Sequence, residues 1–298
     1  MLVSYNTQIS NFHNLIYMIK LNNLTFSYSK RGFAAVDGVS GQIEPGVHLL
    51  LGENGAGKTT LLRLIAGLLT PRQGDVEING IPTTDRKPSV ISRVFFLPDS
   101  VELPVKTIRK YASAIGVFYP NYSQEKFEQN LATFGLNGNE EFSKLSLGNR
   151  HKSLLSCVLA LGVEVLLLDE PANGLDITSK KALRTLIAAN ITDEQTIIVA
   201  THTVSDLQEL YDGMIMLSKG KLLVCKPTWE IAERIRCVSA AIPPVGTLFM
   251  EQDSGLFQAI LPNTTGEPSA INYPLLYTAL LSNKSSQILN AINNDTER

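Results

Sequence analysis

The chain has 298 residues, with 26 Lys and Arg against 28 Asp and Glu, a formal charge of −2. Hydrophobic residues make up 44% and charged residues 18%, a globular composition that excludes intrinsic disorder as the main state. The balanced charge argues against a surface built for nucleic acid, and no run reaches the roughly 18 apolar residues that span a bilayer.

Residues 1–17 contain no Lys or Arg and so lack the basic start of a secretory signal. They read as a leader: a mis-set start or a poorly ordered arm. Cys157, Cys225 and Cys237 are odd in number and far apart, which suits neither a disulfide framework nor a thiolate metal site. The histidines at 13, 48, 151 and 202 show no metal-ligand spacing. A reducing, cytoplasmic compartment is the default expectation.

Residues 19–26 and 34–44 read as edge strands of an antiparallel layer, joined through a turn at Tyr28 to Gly32. Val47 to Leu51 is a short apolar run suited to a buried parallel strand. It leads into Gly52-Glu53-Asn54-Gly55-Ala56-Gly57-Lys58-Thr59-Thr60, the phosphate-loop pattern, and Leu61 to Leu69 continues with a helical apolar pattern. The glycines let backbone N–H groups close around phosphate oxygens, and the following helix N-terminus adds positive potential. In this pattern Lys58 reaches the β- and γ-phosphates and the Thr59 hydroxyl ligates Mg²⁺.

Gly74 to Asn79 reads as a further strand of the antiparallel layer, closed by the Asn79-Gly80 turn. Residues 81–99 return to the central sheet. Residues 104–147 are predicted to be mostly helical, over Val105–Phe118 and Ser123–Phe134, and a helix over 150–161 follows. Val165 to Leu168 is a second buried strand, ending in Asp169 and Glu170. A carboxylate at that place, beside the phosphate loop, can hold Mg²⁺ directly or through water, and its neighbour can polarise the attacking water.

Ser179–Ala189 is predicted as a helix, Thr196–Ala200 as a strand, and Val204–Leu210 as helical. Gly213–Ser218 and Lys221–Val224 form a hairpin pattern around Lys219-Gly220. The alternation of strands and helices is that of a three-layer α/β fold with a parallel core. After about residue 226 charges thin out. Apolar runs at 246–250 and 256–261 flank Gly255 as a hairpin, and Tyr273–Leu281 reads as a short helix. This small α+β appendage is read as a packing extension, with regulation or dimer extension as alternatives.

The order of these motifs resembles the ATP-binding subunit of an ABC transporter over roughly residues 19–225. The resemblance implies an α/β P-loop NTPase of ABC type: a mixed-sheet core, an antiparallel β layer, a helical subdomain at about 104–160, and the C-terminal α+β extension. The implied division is a leader (1–17), an ATP-binding domain (18–225) and an accessory region (226–298). Tyr28 then stacks on adenine, and residues 52–60 bind the phosphates. Leu145-Ser146-Leu147-Gly148-Asn149 is the signature segment. Its Ser146 and Gly148 touch the γ-phosphate held by a second, head-to-tail copy. Asp176, closing the segment from Pro171, connects the two sites. Glu170, His202 and Lys58 form the catalytic set; Thr59, Asp99 and Asp169 form the Mg²⁺ set. The cofactors implied are ATP and Mg²⁺. The partners implied are a second ATP-binding subunit and an integral membrane transporter subunit of exporter or channel type, with no nucleic acid. The implied place is cytoplasmic, at the inner face of the cell membrane.

Two departures stand out. Asp99 occupies a position where the family usually carries glutamine. Leu147 and Asn149 replace a glycine and a glutamine of the signature. Aspartate there can still meet Mg²⁺ through water, or repel the γ-phosphate; Arg150 and Lys152 would add positive charge near the partner's nucleotide. Two other functions compete: a soluble ABC-type ATPase acting on nucleic acid or the ribosome, and a low-turnover regulatory ATP-binding module.

Overall fold

The architecture follows from which strands are buried on one face and which on both. A computed structural model describes residues 19–30, 32–101, 106–204, 207–267 and 269–293. The 1–17 leader, the start of the helix expected from Val105, and part of the 204–210 segment lie outside them. β1 (Ile19–Phe26) and β2 (Val36–Ile43) pair antiparallel, and their buried residues recur on one face: Ile19, Leu21 and Leu24 against Val36, Val39 and Ile43. β3 (Gly46–Leu51) is buried almost throughout, as a strand covered on both faces must be. After α1 (Lys58–Ile65), β4 (Gln73–Ile78) and β5 (Ile81–Pro82) complete a four-stranded sheet in the order β2-β1-β4-β5.

The expected return of 81–99 to the central sheet shrinks to α2 (Pro88–Ile91), a single turn, and β6 (Val94–Leu97). Pro82 and Pro88 cannot donate to a ladder and hold the intervening chain off the sheet. The helical part contains α3 (Ile108–Gly116) and α4 (Gln124–Thr133). Their first turns are capped by the Thr107 and Ser123 hydroxyls, which accept from Lys110 N–H and Lys126 N–H. α5 (Leu147–Leu159) begins three residues before the expected 150, because the Ser146 hydroxyl accepts from Asn149 N–H and starts the helix early.

β7 (Val165–Asp169), α6 (Ile177–Asn190), β8 (Thr196–Ala200), β9 (Gly213–Ser218) and β10 (Lys221–Pro227) follow. The central sheet runs β10-β9-β3-β8-β7-β6, parallel except for the β9–β10 hairpin. Within the 204–210 segment expected to be helical, the described residues include a short 3-10 turn at Gln208–Leu210. β10 passes straight through 225 to Pro227, and α7 (Thr228–Arg234) follows directly.

The C-terminal region adds β11 (Ile235–Ala240), β12 (Phe249–Asp253), β13 (Leu256–Pro262), α8 (Tyr273–Leu281) and α9 (Ser285–Asn293). β12 and β13 form the expected hairpin, with Ser254 and Gly255 both at positive φ (49° and 84°), the backbone that two-residue hairpin turns require. α7, β11 and α9 were not expected.

Alternation along the central strands sorts two cores. Leu49, Leu51, Leu166, Leu168, Ile197 and Val199 face one, shared with α3–α5 and with α7–α9. Leu50, Leu167 and Ile198 face the other, shared with α1 and the four-stranded sheet. α8 is tied down by Tyr273, whose hydroxyl donates to the Tyr211 carbonyl at 3.0 Å. Its ring meets the Tyr211 ring edge-on at 5.5 Å.

Candidate functional site

The strand order sets the C-terminal ends of β3, β8, β7 and β6 side by side, and the site residues leave from those four ends. The phosphate loop follows β3, Thr201 and His202 follow β8, Asp169 and Glu170 close β7, and Asp99 follows β6. A cavity of about 420 Å³ opens there, lined by Tyr28, Ala35, Glu53, Asn54, Gly55, Gly57, Lys58, Thr59, Thr60, Asp99, Asp169 and Glu170.

The loop is closed by its own backbone, with Ala56 N–H donating to the Glu53 carbonyl at 3.0 Å. Gly57 precedes α1 at φ 105°, and a Cβ there would lie 2.2 Å from the Ala35 carbonyl oxygen, so no other residue fits. α1 therefore starts at Lys58, three residues before the expected Leu61, and ends at Ile65. Lys58, Thr59 and Thr60 thus stand on its first turn, where free N–H groups and the helix dipole favour an anion.

Lys58 folds back and donates from Nζ to the Gly52 carbonyl at 2.6 Å and to that of Glu53 at 3.3 Å. Burial pushes its pKa down, against the pull of Glu170 and Asp169. The Thr59 hydroxyl donates to Asp169 Oδ2 at 2.7 Å. Burial is also the main cause that raises the Asp169 pKa; the Thr59 bond opposes it, and Glu170 and Asp99 add repulsion. Tyr28 is exposed at the rim, its hydroxyl 3.1 Å from Thr60 Oγ1 and its ring edge-on to Phe26.

Glu170 is the most heavily held side chain of the site. His202 Nδ1 lies 2.8 Å from Oε1, and His202 N–H donates to the same oxygen at 3.1 Å. The Thr201 hydroxyl donates to Oε2 at 3.0 Å. Its backbone sits at φ 50°, a left-handed conformation that is costly for glutamate. Its N–H is held by the Ala200 carbonyl at 2.8 Å.

The other expected site residues fall elsewhere. Ser146, Gly148 and Asp176 do not line the cavity; Ser146 caps α5, and Asp176 caps α6 by accepting from Ser179 N–H at 2.7 Å. Arg150, expected to project charge, turns back instead, donating to the Leu145 and Ser143 carbonyls and lying over the Phe142 ring. Three residues escaped sequence reasoning: Thr201, Asn173 and His151. Asn173 donates from Nδ2 to Asp99 Oδ1 at 3.0 Å. Only Thr201 carried a usable signal, its place between the end of a buried strand and His202.

The donors facing the cavity are carboxylate and hydroxyl oxygens, the set that suits a hard cation such as Mg²⁺. Among the described residues no three His, Cys, Asp or Glu form a cation cage of their own. A cation bound beside Thr59 and Asp169 would take further ligands from phosphate oxygens or water.

Comparison with known proteins agrees with this geometry. A family profile described as ABC transporter matches residues 36–173. The ABC transporter ATP-binding protein NatA of Bacillus subtilis is 34% identical over 206 residues, covering 66% of this chain and 84% of that protein. The bacitracin transport ATP-binding protein BcrA of Bacillus licheniformis is 30% identical over 229 residues, covering 74% of this chain and 72% of that one. A bacterial ABC transporter cassette solved as a dimer shares the fold with a TM-score of 0.61 at 23% identity, covering 70% of this chain and 98% of its own.

Proposed function

Because the chain belongs to the ATP-binding proteins of ABC transporters, which hydrolyse ATP to energise transport, we propose how its own residues divide that work. The observation that carries the proposal is the meeting of the phosphate loop, the Thr59–Asp169 pair and Glu170 around one cavity, with His202 held on Glu170. Tyr28 at the rim offers its ring face to the adenine. The loop amides and the first turn of α1 receive the phosphates, and Lys58 leaves the Gly52 and Glu53 carbonyls to reach the β- and γ-phosphates. Thr59, Asp169 and Asp99 would hold Mg²⁺, which would neutralise charge on the phosphoryl oxygens. Glu170 orients the attacking water and takes up its proton, and His202 fixes the Glu170 carboxylate and then the γ-phosphate.

Ser146, Gly148 and Asp176 stand outside the cavity of their own chain. We assign them to the nucleotide of a second copy, docked head to tail, so that ATP joins the two subunits. In this reading Glu170→Gln traps the dimer: saturating ATP converts that variant from monomer to dimer in light scattering. A monomer under those conditions, with the membrane subunit also present, overturns it.

The chain acts on a separate membrane subunit at the inner face of the membrane. No helix among the described residues is long and apolar enough to cross one. An open groove of about 460 Å³ lies between α2 and the end of α3, lined by Pro88, Ile91, Phe118 and Tyr119, with Phe118 71% exposed. A short amphipathic helix from a cytoplasmic loop of the membrane subunit suits it. Phe118→Ser is expected to lose capture of the membrane subunit while keeping the ATP-dependent dimer of a Glu170→Gln background. Unchanged capture contradicts this assignment. Residues 18–225 carry the ATPase in this reading. Residues 226–298 are a packing extension, supported by the core that α7–α9 share with α3–α5.

A further inference from the structure

His151 lies on α5 one turn after its N-cap, and it is buried. Both ring nitrogens are committed to backbone carbonyls of other segments. Nδ1 lies 2.6 Å from the Asn173 carbonyl oxygen, and Nε2 lies 2.7 Å from that of Asp99. The Asn173 side chain closes the figure by donating to the Asp99 carboxylate at 3.0 Å. Three contacts thus form a triangle among the loop after β6, the start of α5 and the loop after β7.

We infer that His151 and Asn173 are positioning residues for Asp99, bracing its loop so that its short side chain stays at the cavity wall. The imidazole is planar and rigid, so the separation of its two nitrogens fixes the spacing of the two loops it touches. A flexible side chain would leave that spacing open. The Asp99 carboxylate has its own restraint, since one of its oxygens accepts from the Asn173 side chain. The loop after β7 is seated independently on the same helix end. A Cβ at Gly148 would lie 2.8 Å from the Gly174 carbonyl oxygen, so the backbones touch there. Arg150, next to His151, is turned away to the Leu145 and Ser143 carbonyls and does not compete for the triangle. The triangle therefore joins the carboxylate at the cavity wall to the segment that presents Ser146 and Gly148 and to the loop that ends at Asp176. A displacement of either is passed to Asp99 through one ring.

The proposal rests on the reading of Asp99 as a nucleotide-facing carboxylate, and its test has a readout that needs no nucleotide. In the nucleotide-free full chain, His151→Ala is expected to raise amide exchange about tenfold at residues 99–101 and 172–174, as the ring that spaces the two loops and the hydrogen bond it donates are lost. Exchange from Leu154 onward in α5 stays unchanged. In turnover the same variant lowers kcat about tenfold and moves the KM for ATP by less than about twofold. His151→Gln, whose amide group can donate to both carbonyls, restores both readouts to within about threefold of wild type. His151→Ala and Asn173→Ala combined lose less than the product of the single losses, since both break one triangle. Unchanged exchange in both loops, or an equal rise along all of α5, overturns the brace. So does strict multiplicativity of the two variants. A wild-type chain that does not hydrolyse ATP sinks the proposed function instead, and the exchange experiment still decides the brace.

Discussion

Glu170 shows how much structure is spent on one carboxylate. Its left-handed backbone, at φ 50°, is tolerated because the Ala200 carbonyl takes its N–H and three further hydrogen bonds from Thr201 and His202 hold its side chain. Thr201 is buried and donates to the oxygen Oε2, while His202 Nδ1 meets Oε1. Thr201→Val keeps the shape and removes that donor. We expect kcat to fall about three- to tenfold with the KM for ATP unchanged, as one hydrogen bond to a charged group is lost. A fall in KM-based affinity without loss of kcat contradicts this role. Residue identity made Lys58, Thr59, Asp169 and Glu170 legible in the sequence, because a phosphate loop and a strand-terminal acid pair have few other uses. Asn173 and His151 were not legible, and Thr201 only through its place before His202. Their importance lies in carbonyls and carboxylates far away in the chain, which no local pattern encodes.

At the scale of elements, side-chain caps and a left-handed glycine decided the boundaries that apolar periodicity misplaced. Ser146 starts α5 at Leu147, and the left-handed Gly57 starts α1 at Lys58, in each case three residues earlier than the hydrophobic pattern suggested. Asp176 caps α6 through Ser179, and these hydrogen bonds hold its carboxyl below the usual carboxylate range. A folded pKa below the unfolded value means that stabilisation is complete above about pH 4 and is lost as pH falls through the lowered value. Asp176→Asn keeps the cap and removes the titration. Its urea midpoint is therefore expected to decline less than wild type between about pH 4 and pH 2. Identical acid limbs for the two proteins contradict the assignment. The strands read correctly include the buried β3, β7 and β8, the antiparallel β1 and β4 and the β9–β10 hairpin, whereas β12 begins three residues later than the apolar run at 246–250 suggested. α7, β11 and α9 were missed because they form against a core supplied by the central sheet and α3–α5. Their own sequences do not show this.

For the whole molecule, strand order turns four separated motifs into one site. β8 between β3 and β7 brings His202 to Glu170, and β6 beside β7 brings Asp99 to the same wall. The same order leaves Ser146, Gly148 and Asp176 outside the cavity, so the chain holds half of each composite site it would form with a second copy. The C-terminal region shares the core of the helical part through Ile260, Tyr273 and Leu276, which is why it reads as part of the molecule's packing. In the proposed reading this cavity hydrolyses ATP with Glu170 as the base. The most direct measurement is steady-state ATP turnover of the full chain with Mg²⁺, wild type against Glu170→Gln, alongside nucleotide binding to both. The variant is expected to bind ATP as tightly as wild type and to turn it over at least about a hundredfold more slowly. Equal turnover by the two proteins would contradict it.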